Sequence, residues 1–193
     1  ISGLMKYKIH PWPHQLKTIE ECRDRDFFAL LYEMGTGKTL TAINILRHKY
    51  VQHKEILPTL IVCPLGVVRN WQREIEKNAG PAVTKRVQIV RARSAKKRLK
   101  LLNDPTKSIF IINIDAFNSG LWPEILKKHW DCLILDESHK CKNPKAKRTK
   151  KIIKLSDKIK YKFILTGTPV LNSPLDIWTQ FRIMSPKLFS SNF

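Results

Sequence analysis

Short apolar runs recur along the chain, each followed by a longer stretch of mixed character. Phe27 to Tyr32, Thr59 to Pro64, Arg86 to Val90, Ser108 to Ile114, Asp131 to Leu135 and Lys162 to Leu165 are rich in β-branched and aromatic residues. Their lengths and their Gly, Pro and Asp borders predict strands. Between them lie stretches of helical period. Pro13 suits the first turn of a helix that runs through Cys22. Leu40 to Leu46 opens another. Val67, Trp71 and Ile75 at i, i+4 and i+8 put one apolar stripe on a third, which makes Trp71 a core residue rather than a base-stacking platform. A basic helix through Leu102, a short one from Leu121 to His129, and one from about Ser173 to Met184 complete the set. For the last, serine, proline and aspartate form the start. Apolar strands alternating with helices predict an α/β fold, a mainly parallel sheet covered on both faces. The first strand is expected to be a buried one.

No run approaches the roughly 18 apolar residues of a membrane span, so no membrane partner is expected. At 193 residues the default is one domain. Charge changes the picture more. Lys and Arg number 36 against 16 Asp and Glu, a net charge of +20. A surplus of that size implies a polyanionic partner, most simply nucleic acid. It concentrates in two runs: eight Lys/Arg and no acid from Lys85 to Lys100, and eleven against Asp157 alone from Lys140 to Lys162. Cys22, Cys63, Cys132 and Cys141 lack paired metal-ligand spacing. They read as reduced intracellular thiols without assigned chemistry.

The first run leads into Glu33-Met34-Gly35-Thr36-Gly37-Lys38-Thr39-Leu40. A strand, a glycine-rich turn and Gly-Lys-Thr at a helix start form a phosphate-cradling loop. Gly35 and Gly37 let backbone N–H groups close on an anion, and the helix start adds unpaired N–H groups and a positive dipole end. Lys38 supplies a point charge for β/γ-phosphates, and the Thr39 hydroxyl suits Mg²⁺. Tyr32 stands where the strict pattern has its first glycine. The strand ending in Asp136-Glu137 is the natural partner, because ligands of parallel sheets sit at the carboxyl ends of strands. Asp136 is placed to hold Mg²⁺, and Glu137 to orient or deprotonate a water attacking the γ-phosphate.

In this order MGTGKT, IVCPLGVVRNW, DESH and LTGTPVLNS resemble the first RecA-like lobe of superfamily-two helicases, and more narrowly the Swi/Snf-related DNA translocases. The resemblance runs from about Trp12 to Pro186. It implies a RecA-like P-loop NTPase lobe over residues 1–193 that binds ATP with Mg²⁺. It further implies ATP hydrolysis coupled to movement on double-stranded DNA without sequence preference. Gln15 resembles the adenine-contacting glutamine, and Met34 to Leu40 the nucleotide loop. Lys38, Asp136 and Glu137 resemble the catalytic set, with Thr39 and Asp136 toward the metal. Pro64, Leu65, Asn70 and Asn113 fall in segments that track a DNA strand, and Lys140 and Lys142 follow the acid box. Thr166, Gly167 and Thr168 resemble the motif coupling nucleotide state to DNA grip.

DESH stands in place of the more common alanine or glycine forms, and His14 in place of a frequent tyrosine. The compact DESH form resembles phage and bacterial members more than chromatin enzymes. The expected compartment is accordingly a bacterial or phage-infected cytoplasm rather than a nucleus. The second RecA-like lobe of the family is expected as a partner beyond Phe193. Alternatives are an RNA helicase lobe, disfavoured by Thr-Gly-Thr where Ser-Ala-Thr is usual, and a non-catalytic nucleic-acid-binding module. A GTPase needs an Asn-Lys-x-Asp element, which the chain lacks, and a nucleotide kinase would usually carry an arginine-rich lid.

Overall fold

The structure, a computed structural model, describes residues 7–33, 35–141, 143–167 and 174–186, the side chains of 139, 140 and 174–177 excepted. Six strands form one wholly parallel sheet in the order β1-β6-β5-β2-β4-β3. They are β1 (Phe27–Leu31), β2 (Thr59–Cys63), β3 (Val87–Ile89), β4 (Ile109–Asn113), β5 (Cys132–Asp136) and β6 (Tyr161–Thr166). The helices are α1 (Pro13–Arg23), α2 (Lys38–His53), α3 (Val68–Asn78), α4 (Pro81–Thr84), α5 (Ala95–Leu102), α6 (Trp122–Lys127), α7 (Lys147–Ser156) and α8 (Pro174–Met184).

The two-residue period of a strand sorts its side chains onto two cores. Ile61, Ile111, Ile134, Phe163 and Leu165 pack with Ile19, Ile43, Trp71 and Ile75 from α1, α2 and α3. Their sequence neighbours Leu60, Phe110, Leu133 and Ile164 pack on the other face with Leu102, Ile125, Ile152, Leu155 and Ile183. Burial on both faces explains the unbroken apolar strands.

Three expectations are corrected, and one helix is added. β1 is an edge strand, with Phe27 37% and Leu31 53% exposed. The third helix begins as a 3-10 turn, Leu65–Val67, and its buried stripe is Val68, Trp71 and Ile75 rather than Val67. That i, i+3, i+7 spacing follows the 3.6-residue period more closely than steps of four alone. Thr166 lies within its strand, not after it, whereas Asp136 ends its strand as expected. The basic run contains a helix, α7, whose Ile152 and Leu155 are buried. Ser173 lies outside the described residues. Among those described, no helix is long and apolar enough to cross a membrane.

Candidate nucleotide site and nucleic-acid face

The phosphate loop joins β1 to α2. Gly35 and Gly37 both have positive φ, 82° and 81°, a region costly for residues bearing a Cβ. Around Gly35 a Cβ would meet nothing within 4 Å among the described residues, so the loop is open there on their side. At Gly37 a Cβ would stand 2.2 Å from Gln15 Nε2. Gly37 is the N-cap of α2 and brings no side chain to that helix start, which leaves its N–H groups for an anion. Thr36 Oγ1 donates to Glu33 O at 2.7 Å. Lys38 Nζ donates to Tyr32 O at 3.2 Å and to Glu33 O at 3.4 Å. These carbonyls hold the ammonium against the loop.

Gln15 is 3% exposed. Its Oε1 accepts from Trp12 N at 2.8 Å and its Nε2 donates to Thr36 O at 3.0 Å. The side chain therefore clasps the start of α1 to the phosphate loop. His14 Nε2 reaches the same Thr36 carbonyl at 3.3 Å. The Tyr32 ring meets His14 edge-on at 5.5 Å and its hydroxyl bonds Thr18. Tyr32, in place of a loop glycine, thus ties the end of β1 to α1.

Across β6 from this loop stands the acid box. Strand parity turns Asp136, like Cys132 and Ile134, toward the face that carries α2 and α3. Trp71 Nε1 donates to Asp136 Oδ2 at 2.8 Å, and Glu137 N to Oδ1 at 2.9 Å. Asp136 is 7% exposed. Burial raises its carboxyl above the ordinary range, opposed by the Trp71 bond and by the charge of Lys38. Glu137, half-buried, has φ 53°, a left-handed turn that ends the strand. Ser138 Oγ donates to Gln180 Oε1 at 2.7 Å, fastening the box to α8.

β1, β6 and β5 are neighbours, with Leu31 opposite Thr166 and Asp136 opposite Leu165. The buried Thr166 and Gly167 consequently lie between the loop and the acids. Lys38, Thr39, Asp136, Glu137, Thr166 and Gly167 share this edge. Met34, Lys142 and Thr168 lie outside the described residues, as does the side chain of Lys140. Pro64 and Leu65 follow β2, Asn113 ends β4, and Asn70 is exposed on α3. Since β2 and β4 pair with Cys63 opposite Asn113, these ends adjoin one another on the same edge.

Some of the basic runs serve the fold. Lys162 is buried and donates to Ser156 O, Lys151 to Phe117 O, and Arg148 pairs with Asp115 at 2.9 Å. Sequence reasoning placed Trp71 in the core but missed its hydrogen bond to Asp136. The available signal was an indole N–H on a buried stripe, which requires an acceptor. A hollow of about 450 Å³ between α2, α3 and α4, lined by Leu46, Tyr50, Ile75 and Val83, contains none of these chemical residues.

Residues 27–193 match the SNF2-related domain family. A SWI/SNF-related matrix-associated actin-dependent regulator of chromatin subfamily A-like protein 1 homolog of Caenorhabditis elegans is 34% identical over 93% of the chain and 25% of its own length. An uncharacterized ATP-dependent helicase of Mycoplasma genitalium is 31% identical over 100% of the chain and 18% of its own length. The chain thus spans a quarter or less of these relatives. Among solved structures, the Sulfolobus solfataricus SWI2/SNF2 ATPase core in complex with dsDNA superposes with a TM-score of 0.81 at 28% identity, over 97% of the chain and 39% of that core. On the family match over residues 27–193 and these relatives, this chain belongs to the SNF2-related domain family.

Proposed function

We propose that this chain is the ATP-binding lobe of a DNA translocase that couples ATP hydrolysis to movement along double-stranded DNA without reading sequence. The observation that carries the reading is the adjacency of the phosphate loop, Thr166 and Asp136-Glu137 on three neighbouring strands, β1, β6 and β5. The residues fit a magnesium–nucleoside triphosphate. The open space over Gly35 and the uncapped start of α2 suit the phosphates, and Thr39 and Asp136 are oxygen donors of the kind Mg²⁺ takes. When bound, Mg²⁺ would neutralise charge on the β- and γ-oxygens.

The chain's own residues then have distinct tasks. Lys38 exchanges two loop carbonyls for phosphate oxygens. Trp71 holds Asp136 in one orientation by its indole N–H, and the N–H of Glu137 fixes the second carboxylate oxygen. Glu137, turned out of the strand by its left-handed backbone, orients the attacking water and takes its proton. Gln15 keeps α1 against the loop and places its amide beside the nucleotide. Pro64, Leu65, Asn70, Asn113, Lys140 and Lys142 are assigned to the phosphates of one DNA strand. Thr166, Gly167 and Thr168 pass nucleotide state to that grip.

A second RecA-like lobe, the partner in this reading, supplies an arginine. Lacking such a finger costs about 10³–10⁵ in kcat, so residues 1–193 alone are expected to hydrolyse ATP slowly. Duplex DNA is expected to stimulate them little. Support comes from the family and from the dsDNA bound to the Sulfolobus core. The test is calorimetric ATP binding with hydrolysis measured in parallel. Lys38→Ala should lose affinity, whereas Glu137→Gln should bind ATP and lose turnover by about 10²–10⁴-fold. Wild-type affinity in Lys38→Ala would sink the assignment.

A further inference from the structure

The backbone turns a sharp corner at Glu137. Asp136 ends β5, Glu137 has a left-handed φ of 53°, and Ser138 starts a 3-10 turn that runs to Cys141. A left-handed glutamate is costly, because its Cβ crowds the following carbonyl oxygen. Such a corner persists only where the chain is held on both sides of it. Before the corner, Trp71 Nε1 and the N–H of Glu137 occupy the two oxygens of Asp136 at 2.8 and 2.9 Å. After it, Ser138 Oγ donates to Gln180 Oε1 at 2.7 Å.

Ser138 is fully buried and Gln180 is 8% exposed, so water does not compete for their bond. A buried hydroxyl that lost its acceptor would bear the whole desolvation penalty, which holds the pair together. Gln180 is itself fixed from elsewhere. Ile183 and Met184 of α8 lie in the core that also takes Cys141, the last residue of the turn. Arg182 forks onto Asp157, at the end of α7, with contacts of 2.6 and 3.0 Å. The anchor is therefore set by α7 and by the core, independently of the acid box. The alanine or glycine more common in the place of Ser138 has no hydroxyl to donate, so the clamp depends on the serine of DESH.

We propose that Gln180 is a positioning residue for ATP hydrolysis. Through Ser138 it holds the left-handed backbone of Glu137, and with it the direction in which that carboxylate meets the attacking water. The proposal rests on the reading of Glu137 as the residue that orients and deprotonates the water. Trp71 and Gln180 then divide the box between them. Trp71 steadies the acid on the metal side, and Gln180 the acid on the water side. Magnesium–nucleotide affinity should follow the first pair, and turnover the second.

The test measures single-turnover hydrolysis of γ-labelled ATP by the 193-residue chain in excess over nucleotide, with calorimetric affinity for Mg²⁺–ATP in parallel. The variants are Ser138→Ala, Gln180→Met, the two combined, and Ser138→Ala in a Glu137→Gln background. Ser138→Ala and Gln180→Met should each slow hydrolysis about 10–10²-fold, as a displaced catalytic group does, and leave affinity unchanged. The combined variant should be no slower than the slower single one, because both changes break the same bond. In the Glu137→Gln background Ser138→Ala should leave the residual rate where it was, since the group it steers is no longer a base. Amide exchange should quicken at Glu137 and Ser138 in both single variants and stay at the wild-type rate within β5.

Unchanged hydrolysis in both single variants would overturn the proposal and leave Glu137 its role. Exchange at Glu137 that moved in neither variant would overturn it as well. A loss of affinity equal to the loss of rate, or a further fall on adding Ser138→Ala to Glu137→Gln, would make the pair a structural contact of the lobe and nothing more. If Glu137→Gln itself hydrolysed ATP like wild type, the reading of Glu137 would fail, and the positioning role with it. Urea unfolding, followed on every variant, gives the folded fraction by which each rate is divided, so an unstable variant still reports on the folded lobe.

Discussion

On one side of β6 the phosphate loop is held by its own neighbourhood, through Thr36 to Glu33 O, Lys38 to Tyr32 O, and Gln15 and His14 to Thr36 O. On the other side Asp136 is held by Trp71, 65 residues upstream, and Ser138 by Gln180, 42 residues downstream. The loop sits on an exposed edge strand, whereas the acid is buried in the sheet. A local, solvated half can rearrange around a ligand at small cost. A buried half built from distant elements must be in place beforehand. The lysine is accordingly the mobile charge of the site and the aspartate its fixed one.

The largest effect should come from the loop's glycines. Gly37→Ala incurs about 1–2 kcal/mol for its left-handed backbone. It also drives a Cβ into Gln15 Nε2, displacing two hydrogen bonds of about 0.5–1.5 kcal/mol each. The total, about 2–5 kcal/mol, should appear in the urea midpoint and be accompanied by loss of ATP binding. Gly35→Ala meets open space and should cost only the backbone share. Equal losses in the two variants would mean that Gln15 does not clasp the loop.

Next is the fixed half. Trp71→Phe keeps most of the core volume but removes the N–H that Asp136 accepts, a charge-assisted bond of about 1.5–3 kcal/mol. ATP affinity should drop more with Mg²⁺ than without it if the aspartate holds the metal as proposed. A loss of stability with no change in the magnesium dependence would make Trp71 a packing residue alone.

The smallest effect per group concerns the thiols. Burial pushes Cys22, Cys63 and Cys141 from 9.0 up to about 12. A group whose folded value is raised contributes stability that is complete below the unfolded value and lost as pH climbs toward the folded one. Stability should therefore decline between about pH 9 and 12. The loss at pH 10 is on the order of 1 kcal/mol per thiol. Cys63 lies in the acid half, where the charge of Asp136 adds to the upward push. Replacing Cys63 with alanine should flatten the alkaline limb of a urea-midpoint profile by its share, and an unaltered limb would contradict this account.

Strand positions were legible because four of the six strands, β2, β4, β5 and β6, are almost wholly buried, and a run such as Ser108 to Ile114 has no competing reading. The phosphate loop was legible because it is local: every residue of it lies within one contiguous stretch. What escaped was long-range or masked by charge. α7 contains Lys147, Arg148, Lys150, Lys151 and Lys154, and only Ile152 and Leu155 of its buried face are apolar, the other two being Thr149 and Ser156. Five cations concealed a helical period. The edge position of β1 was equally hidden, because its composition does not state how many neighbours it has. Trp71's bond to Asp136 depends on strand parity and helix phase together, which no single window of sequence contains.

The pairing of β1 also sets an order of events during synthesis. Among the described residues β1 bonds, within the sheet, only to β6, a strand that begins at Tyr161. As the chain leaves the ribosome, Phe27 to Leu31 have no sheet partner until nearly all the other strands have emerged. A nascent chain that stops before Tyr161 has β2 through β5 available to pair, but its phosphate loop hangs from an unpaired segment. Nucleotide cannot reward folding until that late stage. ATP should then protect the finished lobe from a protease while giving no protection to ribosome-bound chains cut short of β6.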